Sequence, residues 1–160
     1  MCAIRLTERQ SASPVAANAK PLAHAKPDQP EEERTLRTIL RAAIGLAGLL
    51  FVVLALGFLH DPARAAARLG VGTLGPLGDA TLRGDFFAFF AVGGLLSIAG
   101  AVRDDARLLL APLLLIALTL SGRLITVAVG GFDPAMGPPM MVEAVMIALL
   151  WFGRRSLGRP

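Results

Sequence analysis

The sequence has no tyrosine, a single cysteine and only two histidines, and each scarcity removes a class of chemistry. With Cys2 alone there is no intramolecular disulfide, no CxxC redox pair and no cysteine zinc site. Tyrosyl acid–base chemistry is excluded, and no Ser/His/Asp or Cys/His set is available for nucleophilic catalysis. Haem in a membrane bundle draws axial ligands from histidines on the spans. His24 lies in a polar N-terminal stretch and His60 stands by itself, so no haem is expected. A metal site would have to pair His60 with Met136 or Met140, but Met140, Met141 and Met146 read as packing residues. No metal or cofactor is therefore expected, and the chain does not read as an enzyme. Charge is scarce too, at 18% against 54% hydrophobic residues, which is too apolar for an ordinary soluble domain. The net charge of +4 comes from arginines that flank apolar runs. A basic face studded with aromatics is missing, which argues against a nucleic-acid partner.

What the sequence does have is apolar residues in long runs, the pattern of membrane spans. Residues 1–35 are polar and Pro-rich, with an acidic run at Glu31-Glu32-Glu33, and are expected to form a disordered tail. The tail lacks the apolar centre of a signal peptide, and no lipobox precedes Cys2. Four spans follow, at about 38–59, 82–102, 108–129 and 139–153. The fold class is all-α, a four-helix transmembrane bundle. Between the first two spans, Asp61 and Pro62 make an N-cap and first helical residue for a short helix to Leu69, closed by Gly70. With Arg64 and Arg68 on one face it reads as an interfacial helix. Gly70, Gly72, Gly75, Pro76 and Gly78 then predict a loop.

Span two carries Gly93, Ser97 and Gly100 on one helical face, a surface for close helix packing in lipid and a candidate dimer contact. Its start holds Phe86, Phe87, Phe89 and Phe90, read as bulk against neighbours, with a ring-lined cleft as the alternative. The third span must continue through Arg123, because Leu108–Gly122 alone is too short to cross. Flanking arginines favour one side: Arg34, Arg37, Arg41, Arg103, Arg107, Arg154, Arg155 and Arg159 against Arg64, Arg68, Arg83 and Arg123. The positive-inside rule then puts both termini in the cytoplasm.

Alternating spans bring Arg83, Asp85, Arg123 and Glu143 to one side of the membrane. A lone charge at that depth costs about 2.5–3.5 kcal/mol on insertion scales. An Arg123–Glu143 ion pair is therefore expected, with Asp85 as second acceptor and Arg83 nearer the headgroups. Thr119 and Thr126 share the face of Arg123. Three readings stay open: a pair that fixes helix register, a polar cluster in the outer leaflet that binds a lipid headgroup or small polar ligand, and proton or ion movement.

The set of Phe58-Leu59-His60-Asp61-Pro62, Leu69-Gly70, Leu82-Arg83-Gly84-Asp85-Phe86, Gly122-Arg123-Leu124-Ile125 and Val142-Glu143-Ala144 resembles the bacterial membrane family filed as domain of unknown function 4345. The resemblance spans about residues 36–153. It implies a small four-helix protein of the bacterial inner membrane with no activity to carry over. Where the family often has a small residue after the motif phenylalanine of span two, this chain has Phe87, which would narrow a cleft near Asp85. The expected function is a non-enzymatic membrane module binding a lipid, a small polar ligand or an envelope partner. The alternatives are a small oligomeric carrier and a lipid-modifying enzyme. Membrane lipids, a second copy or an envelope protein are the expected partners.

Overall fold

In a computed structural model, residues 31–157 are described, and every regular element among them is helical. Residues 1–30 of the tail expected over 1–35, with Cys2 and His24, lie outside the described residues, as does Arg159. The first helix, α1 (Glu31–His60), begins seven residues before the predicted span. Glu31, Glu32 and Glu33 form its first turn, where carboxylates complement the exposed N–H groups and the helix dipole. They therefore belong to the helix, not to the tail. At about 1.5 Å per residue, α1 outruns a hydrocarbon core of about 30 Å.

The short helix α2 (Pro62–Ala67) starts as the sequence predicts. The Asp61 carboxylate accepts from the Arg64 backbone N–H at 3.0 Å, Pro62 occupies the first turn, and Gly70 adopts φ +73°. The predicted loop is shorter than expected. Helix α3 (Gly75–Thr81) opens on Gly75 and Pro76 and runs into a π-helical turn, Leu82–Phe86, which leads directly into α4 (Phe87–Arg103). Residues 75–103 are thus one continuous helical rod with a widened turn near its middle. Two glycines and a proline read as punctuation, but here Pro76 stands in the first turn, where its missing N–H costs nothing.

Asp104 closes α4 in the left-handed conformation, φ 57°, which Asp tolerates better than most residues. Helix α5 (Leu110–Gly130) follows, with Pro112 in its first turn. A 3₁₀ turn, Pro134–Met136, leads into α6 (Gly137–Ser156). Four of these rods are long and apolar enough to cross a membrane: Glu31–His60, Gly75–Arg103, Leu110–Gly130 and Pro134–Ser156. Their outward faces agree with that, since Leu46, Leu118, Ile125, Val129 and Val145 are all exposed. In water such surfaces would aggregate; in a bilayer they face acyl chains.

Antiparallel packing pairs α1 with α4 and α5 with α6. The α1–α4 contact is backbone-close. A Cβ on Gly94 would stand 2.6 Å from the Gly48 carbonyl oxygen, and one on Gly48 would stand 2.8 Å from that of Gly94. Ser97, buried between them, donates its hydroxyl to the Gly93 carbonyl at 2.8 Å, leaving no polar group unpaired in the contact. The two hairpins meet at the Arg37 end, where Ile44, Ala101, Leu109, Leu113, Ile116, Met146, Leu150 and Leu157 form the core. Arg41 strengthens that end by donating to the Ala101 and Val102 carbonyls at 2.8 and 3.0 Å, and Arg37 pairs with Asp104.

The predicted dimer face finds its partner inside the chain. Gly93 meets Phe51, and Gly100 is covered by Leu109. The small residues let α1 and the turn before α5 approach α4, so this stripe is buried within the chain.

Candidate functional site

At the opposite end, near His60, the hairpins do not close on each other. Phe58, buried at the end of α1, stacks on Phe90 with ring centroids 5.6 Å apart and an interplanar angle of 10°, and lies 5.0 Å from Phe86. Phe51 meets Phe90 edge-on at 5.4 Å. These contacts hold the aromatic side chains of the α1–α4 hairpin in one rigid wall. Between this wall and the α5–α6 hairpin lies a cavity of about 530 Å³. Phe51, Phe86, Phe89 and Phe90 line one side, and Ile116, Val142 and Met146 line the other. The ring-lined cleft, the lesser reading of the sequence, is present. Phe87 does not narrow it. Its ring packs on the cluster of Phe58, Ala66 and Leu82, away from the cavity lining.

Polar groups enter the lining at four places: Asp85, Thr119, Arg123 and Glu143. Arg123 on α5 donates through Nε to Oε1 of Glu143 on α6 at 2.8 Å. The hairpin makes this meeting possible. Arg123 lies two turns before the end of α5 and Glu143 less than two turns into α6, so antiparallel neighbours carry them to the same depth. The pair is mostly sheltered, with side-chain exposures of 31% for Arg123 and 14% for Glu143. It is also incompletely satisfied. Glu143 Oε2 is buried and makes no hydrogen bond, and the Arg123 hydrogen bond runs through Nε alone.

The remaining residues of the predicted cluster separate. Asp85 reaches the same cavity, but Arg123 makes no hydrogen bond or ion pair with it. Asp85 stands in the π turn, exposed, at the rim. Arg83 is not in the lining. Its Nε donates to the Leu59 carbonyl at 3.1 Å, satisfying one of the unpaired carbonyls at the end of α1. Thr119 lines the cavity while its hydroxyl is turned back to the Leu115 carbonyl at 2.9 Å. Thr126 bonds Gly122 in the same way and lies outside the lining.

Family models, curated proteins and solved structures give no match to this chain. Among the described residues there is no group of three or more His, Cys, Asp or Glu side chains placed to hold a metal ion. The lining offers apolar and aromatic walls, one guanidinium and two carboxylates. That set, with the Thr119 hydroxyl, suits binding and orientation. Sequence reasoning missed Phe51, Leu54 and Met146 as lining residues. Each stands in an unbroken apolar run, where nothing separates a cleft-facing side chain from a lipid-facing one.

Proposed function

We propose that this chain is a small integral membrane protein that binds an amphiphilic small molecule in the cleft between its two hairpins. The carrying observation is the cavity itself, about 530 Å³, with an aromatic wall at one side and the Arg123–Glu143 pair at membrane depth. This volume falls inside the range of about 300–1,000 Å³ typical of ligand pockets, which are mostly apolar with a few placed polar groups. An ion pair kept only to fix helix register has no need of an open cavity beside it. It would also gain from a donor to Glu143 Oε2, since an unsatisfied buried acceptor weakens the bundle.

In this reading the apolar part of the ligand lies against Phe51, Phe89, Phe90 and Met146, and its polar end reaches the charged residues. The protein acts as a binding module and carries out no reaction. The arginine distribution supports an orientation with the Arg37 end in the cytoplasm and the cleft in the outer leaflet. The resemblance to the domain of unknown function 4345 family fits the same reading, as a bacterial inner-membrane protein.

The test is native mass spectrometry of protein purified in a neutral maltoside. Wild type should carry a co-purifying amphiphile as a defined mass adduct. The cavity-filling variant Val142→Trp, folded by circular dichroism, should lose it. Bare wild-type protein, unable to take up any added amphiphile, would overturn the proposal.

A further inference from the structure

Resting on that reading, we infer that the ligand bound in the cleft carries a positive charge, a single-chain amphiphile with an ammonium headgroup, recognised by Asp85. The argument begins with a charge count around the cavity. Arg123 and Glu143 face each other at 2.8 Å and cancel. Asp85 is the one other ionisable group in the lining, and its carboxylate has no hydrogen bond or ion pair among the described residues. Arg83, two positions earlier, is directed to the Leu59 carbonyl instead. The cavity therefore keeps one uncompensated negative charge. An anionic headgroup beside Asp85 would add a like charge to that imbalance, with a repulsion moderated by the exposure of Asp85 at the rim. A cationic one removes it.

The surroundings of Asp85 match the same ligand. Phe86 follows it directly and Phe89 lies one turn on, and both line the cavity. The faces of aromatic rings attract cations, quaternary ammonium groups in particular. No tyrosine or tryptophan competes there as a hydrogen-bonding partner; the rings beside Asp85 are all phenylalanine. Asp85 also sits in the π turn that interrupts the second rod, at Leu82–Phe86. Such single-turn widenings inside helices are frequent at functional sites, because they shift the direction of a side chain that a regular helix would point elsewhere. The cavity size suits one chain and a compact head.

The test uses three probes of equal chain length: dodecyltrimethylammonium, dodecanol and dodecanoate. Full-length protein in neutral maltoside micelles is titrated with each, and adducts are read by native mass spectrometry. On wild type the ammonium probe should bind about tenfold more tightly than the alcohol, and the carboxylate more weakly than either. In Asp85→Asn, which keeps the size of the side chain and removes its charge, the ammonium-to-alcohol ratio should fall to about one. Asp85 is exposed, so this change does not threaten the fold. Equal binding of ammonium and alcohol by wild type would overturn the charge assignment while leaving the amphiphile site standing. Preference for the carboxylate would also overturn it, and would make Arg123 the headgroup anchor. Failure of all three probes to bind would bring down the binding function itself.

Discussion

Arg123 holds Glu143 through one hydrogen bond, and the consequences of losing either partner differ from those of losing both. Arg123→Ala leaves a carboxylate buried between helices with no counter-charge. A change of that kind costs about 3–5 kcal/mol, because the desolvation of the remaining charge is no longer offset. The double variant Arg123→Met with Glu143→Leu removes both charges and fills the space with apolar atoms. It should recover most of the stability, since replacing a buried pair with well-packed hydrophobic residues is often neutral. Unfolding titrations in mixed micelles would show this as a large loss followed by near-complete rescue. A double variant as unstable as the single one would mean that the pair contributes through geometry other than its charge. Asp85 behaves differently at this scale. It has no partner to strand, so Asp85→Asn should leave stability within about 0.5 kcal/mol of wild type.

The crossing of α1 and α4 turns on the absence of two side chains. A Cβ at Gly94 would collide with the Gly48 backbone oxygen, which cannot move as a flexible side chain can. Gly94→Ala should therefore push the hairpin apart and destabilise by about 1–3 kcal/mol. Gly57 lies on the same helix as Gly48 but has nothing within 4 Å of its would-be Cβ. Gly57→Ala should stabilise by about 0.5–1 kcal/mol, the helix-propensity gain of alanine. Thermal unfolding of both variants in one detergent checks the contrast, and equal effects would mean the close approach is not tight. This pair also shows how far the sequence could be read. The stripe of Gly93, Ser97 and Gly100 announced close packing, because small residues are what a bilayer-embedded contact needs. It did not announce the partner, since Gly48 looks the same whether α4 meets α1 or a second chain. The four apolar runs and the Arg123–Glu143 meeting were legible because length and antiparallel geometry constrain them. Helix α3 and the π turn were not. Glycine and proline resemble loop residues until the first-turn position of Pro76 is known, and no residue type marks a π turn. The phenylalanine wall was legible as a cluster, but its division into lining (Phe86, Phe89, Phe90) and packing (Phe87) follows from that turn.

The orientation of the whole molecule decides which leaflet can supply the cleft. Ile44 of α1 packs on Gly153 of α6, so the start of the first rod and the end of the last lie at one end of the bundle. Arg37, Arg41, Arg103, Arg107, Arg154 and Arg155 belong to that end, and Arg155 also stacks over Trp151 at 4.7 Å, an arrangement suited to the headgroup region. Arg64, Arg68 and Arg83 belong to the other end, beside the cleft. The excess favours retention of the Arg37 end in the cytoplasm, because arginine-rich short segments are translocated poorly. In a Cys2→Ser background, Leu74→Cys places a thiol in the loop before α3, where Leu74 is 92% exposed. Ser156→Cys places one at the opposite end. An impermeant maleimide added to intact cells should label the first and spare the second until the membrane is opened. The reverse pattern would move the cleft to the inner leaflet, where an ammonium amphiphile would arrive from the cytoplasmic pool. Labelling of both in intact cells would break the four-span topology, because the three crossings between Leu74 and Ser156 put those two positions on opposite sides of the membrane.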